Sequence, residues 1–221
     1  MSALLVSSSV PHDSLDGNSL LDLVAYCARV SNPSNQNNTA TSEKLVRYLM
    51  KNDHWSPLEM VSVCLEISTT RDIARQMLRH RSFSFQEFSQ RYAVADIGVD
   101  IREARLQDKK NRQNSIETSD VLLAEQWKIK QEQLIENAKE TYQWALDNGI
   151  AKEQARVVLP EGNTMSRLYM NGTMRSWIHY IQLRSGNGTQ KEHREVAIAC
   201  AKAIEPIFPM IMEFVSDELS E

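Results

Sequence analysis

Hydrophobic and polar residues alternate with a period of two from Met60 to Ser68. Val61, Val63, Leu65 and Ile67 fall on one side, and Ser62, Cys64, Glu66 and Ser68 on the other. That spacing predicts a half-buried strand. Before it, Thr41 or Ser42 is placed to cap a helix carrying Leu45, Val46, Leu49 and Met50 on one face. After it, Thr69 and Asp72 give a capping-box-like start to a helix with Ile73, Ala74, Met77 and Leu78. Leu134, Ile135, Ala138, Tyr142, Ala145 and Leu146 mark an amphipathic helix that stops at Asn148-Gly149. Further helices are expected near Thr173 to Leu183 and near Glu192 to Ile204, the latter halted by Pro206. The stretch from Ser31 to Thr41, rich in Asn and Ser, reads as a loop. Arg102 to Asp120 is charged and polar and is expected to be a solvated excursion. Strands and helices are mixed without a βαβ rhythm, which favours an α+β fold. No Gly-rich strand-to-helix fingerprint is present, so a nucleotide here would not be held by a Rossmann motif.

The chain has 221 residues, 42% of them hydrophobic, enough for one domain with its own core. No apolar run approaches the roughly 18 residues of a membrane span. Met1 to Val10 lacks the features of a secretory signal. Cys27, Cys64 and Cys200 are widely spaced and suggest neither a disulfide framework nor a zinc site. Together these features favour a cytoplasmic or otherwise intracellular setting.

A net charge of −4 argues against general nucleic-acid affinity. The distribution of charge is more informative. Between Thr70 and Tyr92 lie Arg71, Arg75, Arg79, Arg81, Arg91 and His80, against only Asp72 and Glu87. Continued as a helix, Arg71, Arg75 and Arg79 would share one face. Phe83 and Phe85 then alternate with Ser82, Ser84 and Gln86, as in an extended segment, and Glu87, Ser89 and Arg91 would point the same way. An acceptor, a hydroxyl and a guanidinium on one face suit a sugar and a phosphate. Two other readings stand beside this one: a helix terminus whose arginines pair with acids elsewhere, and a nucleic-acid patch without turnover. A purely structural oligomer would leave Arg79-His80-Arg81 unexplained.

The segment RHRSFSFQEFSQRY, Arg79 to Tyr92, resembles the signature of flavin-dependent thymidylate synthases. Arg79, His80, Arg81, Ser84, Glu87, Ser89, Arg91 and Tyr92 match, and Gln86 replaces the family's usual Asn with a longer amide. The likeness continues through Cys27 to Ser31, through His54-Trp-Ser56-Pro57-Leu-Glu59 and through Ala155-Arg156 to Pro160. It resumes from Arg175 through His179 to Leu183-Arg184, and at Gln190 and Glu192, with Thr189 in place of Ala. Residues 93–130, a charged excursion within the single domain 1–221, have no counterpart in the resemblance.

The resemblance implies a mostly antiparallel sheet with packed helices, in a homotetramer whose active sites are shared between chains. It implies methylation of dUMP to dTMP with methylenetetrahydrofolate as carbon donor, FAD as the hydride carrier and NADPH as reductant. No membrane or nucleic-acid partner is implied. The dUMP site would comprise Gln76, Met77, Leu78, Arg79, Glu87, Phe88, Ser89, Gln90, Arg91, Arg156 and Arg184. Within it, Arg91 and Arg156 are the phosphate candidates, and Arg184 the catalytic group beside the uracil ring. FAD would be held by Ser31, His54, Ser56, Glu59, Arg79, His80, Arg81, Glu87, Thr173, Met174, Arg175 and His179, the Arg-His-Arg run suiting its pyrophosphate. Thr173 stands where the family often has Asn, which puts that contact in doubt. Ser89 lacks the base and acid of a triad and reads as a binding hydroxyl rather than a nucleophile. His12 and His193 match no family position and are taken as structural.

Overall fold

The computed structural model describes residues 1–95 and 100–216. The predicted strand is β2, Ser62–Thr70, flanked in the sheet by β1 (Ser2–Ser8) and β6 (Met165–Thr173), with β3 (Phe83–Glu87) outside β6. All three pairings in the order β1-β2-β6-β3 are antiparallel. The alternation places the inward side chains as expected: Val63, Leu65 and Ile67 are fully buried while Ser62, Cys64, Glu66 and Ser68 are not. The central strand β6 escaped the periodicity reading because its inward set is Ser166, Leu168, Met170 and Gly172, half of it not hydrophobic. Gly172 is required there, since a Cβ would lie 2.4 Å from the Phe83 ring of the facing strand.

Helices cover the inward face. They are α1 (Leu20–Ala28), α2 (Ser42–Lys51), α3 (Arg71–Met77), α6 (Met174–Arg184) and α7 (Lys191–Ile204). Each of α3 and α6 follows directly from a strand, β2 and β6 respectively, so the two helices start at opposite ends of the sheet. Their apolar sides, with Ile73, Met77, Met174, Trp177, Ile178 and Ile181, join the sheet and α7 in one core. Trp177 packs edge-on against Phe83 at 4.9 Å, and its indole N–H donates to the Val63 carbonyl at 2.9 Å. A large aromatic is thus buried with its one donor satisfied. Thr173 caps α6 by accepting the Ser176 N–H.

Three sequence expectations change. The helix after β2 ends at Met77, so Arg79 lies beyond it and does not continue the Arg71–Arg75 face. Its cap residue is Thr70, whose hydroxyl bonds the Asp72 carboxylate instead of a backbone N–H, so no capping box forms. The charged stretch is mostly exposed, as expected, but it carries regular structure, a hairpin of β4 (Arg105–Gln107) with β5 (Ser115–Glu117), and is followed by α4 (Val121–Asp147). Of the excursion 93–130, residues 96–99 lie outside the described residues.

The apolar spacing found only the second half of α4, because the first half leaves Val121, Leu122 and Trp127 exposed. The helix ends where expected, with Gly149 at φ +73°. A short helix α5 (Lys152–Ala155) and Tyr142 of α4 enclose a small second cluster with Ala95.

Candidate active site

Two clefts lie at opposite ends of the sheet. The first, of about 630 Å³, sits where β6 gives way to α6 and is lined by Trp55, Glu59, Ser82, Thr173, Arg175, Ser176, Ile178, His179 and Gln182. Arg175 and His179 are four residues apart on α6 and therefore share a face. Arg175 is held by Glu59 at 2.7 Å, and Glu59 also accepts the Thr173 hydroxyl at 3.0 Å. That hydroxyl is committed to the acid and to the helix cap. Four of the expected flavin residues, Glu59, Thr173, Arg175 and His179, are thereby gathered. Ser31, His54 and Ser56 are exposed and do not line this cleft, His54 lying edge-on to Tyr48.

The second cleft, of about 410 Å³, is bounded by the start of α3 and by the segment after α5. Arg71, Arg75, Gln90, Glu153, Gln154, Arg156, Val157, Leu159 and Glu161 line it. Arg91 adjoins it through Glu153, 3.2 Å away, which also accepts from Arg156 through its carbonyl. The two phosphate candidates are therefore brought together by one loop. Arg75 pairs with Glu161, and Arg71 with Glu87 at 3.5 Å. The acids missing from the helix face thus come from distant parts of the chain, and the basic patch is largely neutralised. Arg71 and Arg75 are cleft residues that the residue-by-residue transfer omitted, although their shared helical face was visible in their spacing.

The expected alternation of Glu87, Ser89 and Arg91 does not hold. Strand β3 ends at Glu87, and the chain turns so that the N–H groups of Tyr92 and Ala93 both donate to the Ser89 carbonyl. The Ser89 hydroxyl accepts from the Arg91 N–H at 3.4 Å. Glu87 is fixed instead by the Ser166 hydroxyl at 2.7 Å. Phe88 bonds the Arg167 carbonyl through its backbone, and Gln90 is buried. Met77 and Met174 are fully buried in the main core, so their thioethers are out of reach of any ligand. Leu78 caps the end of α3.

Arg184, at the end of α6, donates from Nε to His80 Nε2 at 3.0 Å. Burial, and then the Arg184 charge, hold the His80 pKa down to about 4. His80 is therefore a neutral acceptor, which corrects the expectation of three successive cations. Arg79 and Arg81 on either side of it are exposed and form no ion pair among the described residues. Because His80 takes Nε, the terminal amino groups of Arg184 stay available.

His193 was taken as structural, yet it is fully buried, with Nε2 3.1 Å from the Tyr180 hydroxyl and Nδ1 3.2 Å from Gln76 Oε1. Gln76 bonds Gln190, which bonds Glu192. Glu192 in turn pairs with Arg102 at 3.0 Å and with Arg105. These two arginines, expected in solvent, keep only 15% and 13% of their side-chain surface.

Residues 18–210 match the family model described as "Thymidylate synthase complementing protein". The chain is 48% identical over 212 residues to a probable flavin-dependent thymidylate synthase of Paramecium bursaria Chlorella virus 1, covering 96% of this chain and 97% of that one. It is 47% identical over 213 residues to the flavin-dependent thymidylate synthase of Synechocystis sp., with the same coverage. A solved UMP/dUMP methylase, PolB from Streptomyces cacaoi bound with 5-Br UMP, shares the fold with a TM-score of 0.80 and 30% identity, covering 96% of this chain and 92% of that one. With relatives of this identity aligned along almost its whole length, the chain belongs to the flavin-dependent thymidylate synthase family.

Proposed function

We propose that this chain methylates dUMP to dTMP, taking the carbon from methylenetetrahydrofolate, with FAD as resident cofactor and NADPH as reductant. The observation that carries the reading is the Arg184–His80 pair, in which a neutral imidazole fixes a guanidinium whose terminal amino groups are left to meet a ring that gains negative charge. The first cleft suits a flavin nucleotide. Trp55 offers apolar surface, Arg175 and His179 offer polar contacts, and the acid in it, Glu59, is already paired. A flavin held there would supply the hydride that the reaction needs. Arg91 and Arg156 hold the nucleotide phosphate, with Gln90, Ser89 and Glu87 fixing the sugar. Arg184 stabilises the negative charge that the ring acquires as it is ionised, and neutral His80 holds that guanidinium in place without repelling it.

The two clefts are separated by β6, whose nine residues span about 30 Å. Hydride transfer needs reacting atoms within about 3.5 Å. That separation supports the homotetramer that the resemblance implies, in which different chains complete each site.

The test is the visible spectrum of the purified protein before and after adding FAD and then dUMP. It is followed by dTMP formation with methylenetetrahydrofolate and NADPH. Flavin bands perturbed by dUMP, together with turnover, are expected. An intact oligomer that takes up no flavin from excess FAD would sink the reading.

A further inference from the structure

The hydrogen bonds around His193 have a direction, and the direction can be deduced. Glu192 is buried between Arg102 and Arg105. Burial alone would raise its pKa, but its own backbone N–H, Gln190 and the two arginines outweigh that and keep it ionised. A carboxylate only accepts. Gln190 must therefore donate its Nε2–H to Glu192 at 2.8 Å, which turns its Oε1 toward Gln76. Gln76 must then donate its Nε2–H to that oxygen at 2.9 Å, which turns its own Oε1 inward to His193 Nδ1. His193 must carry its proton on Nδ1, leaving Nε2 bare to accept the Tyr180 hydroxyl. Tyr180 stacks edge-on with His80, the partner of Arg184, at 5.0 Å between ring centres. One polarised chain thus runs from beside the Arg184–His80 pair to Gln76 and ends on an ion pair.

A primary amide has two N–H groups, and Gln190 uses one of those on Gln76. We propose that His193 is a positioning residue for the nucleotide. Its Nδ1–H locks the Gln76 amide with the oxygen inward, so that the second N–H is presented to an acceptor atom of the pyrimidine. Without His193 the amide is held at one end only, by its bond to Gln190, and each flipped amide offers an oxygen where a donor is required. The inference rests on the reading that Gln76 touches dUMP, and the experiment separates the two.

The FAD-loaded oligomer is compared with its His193→Leu, His193→Asn and Gln76→Ala variants for dUMP KM, kcat and flavin content. The Asn amide places an N–H close to the position of Nδ1. His193→Leu is expected to raise KM about tenfold, the size of one net hydrogen bond, with kcat and flavin content within about twofold. His193→Asn is expected to recover most of that loss. An unchanged KM in His193→Leu beside a raised KM in Gln76→Ala would overturn the positioning role. So would equal losses in the Leu and Asn variants, which would indicate packing alone. An unchanged KM in Gln76→Ala would instead remove Gln76 from the substrate site. If the Leu variant does not assemble, ring nitrogen NMR of the native protein decides: a bare Nε2 and protonated Nδ1 on His193 are expected, and the opposite tautomer overturns the proposal.

Discussion

Two arginine-bearing stretches of this chain use charge in opposite ways. From Arg71 to Arg91 the guanidiniums, the half-buried Arg71 apart, stand in the open, each with at most one acid partner among the described residues. At Arg102 and Arg105 they are buried, and one short span engages Asp72, Asp100, Glu103 and Glu192. The first arrangement leaves donors for an anion. The second spends every charge inside the protein, clamping the hairpin and α4 region to the start of α7. Charge density along the sequence does not distinguish the two; the difference lies in whether acids from other elements converge on the same spot.

The comparison is tested most severely at Arg184. Arg184→Ala is expected to slow methyl transfer by about 10²–10³-fold while NADPH still reduces the flavin at close to the native rate. Equal losses in both half-reactions would contradict its assigned role. Loss of an acid from the buried stretch should cost stability and, at Glu192, dUMP affinity as well, through Gln190 and Gln76. Glu192→Ala leaves two guanidiniums short of a partner and is expected to cost about 3 kcal/mol, read as a fall in denaturation midpoint. A stability loss no larger than that of an exposed pair such as Arg47–Glu43 would erase the distinction.

Acid sharpens the contrast further. The pKa values of His80 and His193 are held down to about 4 and about 3, chiefly by burial and then by Arg184. The unfolded chain, whose histidines titrate near 6.5, takes up protons first as the pH falls. Their contribution to stability is complete above pH 6.5 and is lost progressively down to about pH 3. Thermal melts across that window should therefore fall less steeply in His193→Asn than in the native protein. The smallest effect is expected at Ser89. Ser89→Ala should weaken dUMP binding about fivefold and keep turnover, whereas complete loss with normal FAD and dUMP binding would restore the nucleophile reading.

Legibility in the sequence followed physical causes. Strand β2 was readable because its alternation is uninterrupted, and α6 and α7 because their boundaries carry Thr173 and Pro206. Strand β6 was not, because a serine and a glycine occupy inward positions, the glycine to admit Phe83. At the site, the motif from Arg79 to Tyr92 named the family, and Glu59, Arg175 and His179 meet in one cleft. Its internal geometry was misjudged where the strand ends at Glu87 and a turn takes over. His193 was invisible for a different reason. Its role depends on Gln76, 117 residues away, and on an ionised carboxylate that only the fold supplies.

In the shared-site homotetramer proposed above, the placement of the two clefts at opposite ends of the sheet would have a genetic consequence. A chain crippled at Arg175 and a chain crippled at Arg156 would each be inactive alone, because every site they assemble repeats the same lesion. Refolded together, they would form mixed assemblies in which some sites draw an intact half from each parent. Two defective alleles could then complement one another within a single cell, although neither encodes a working enzyme.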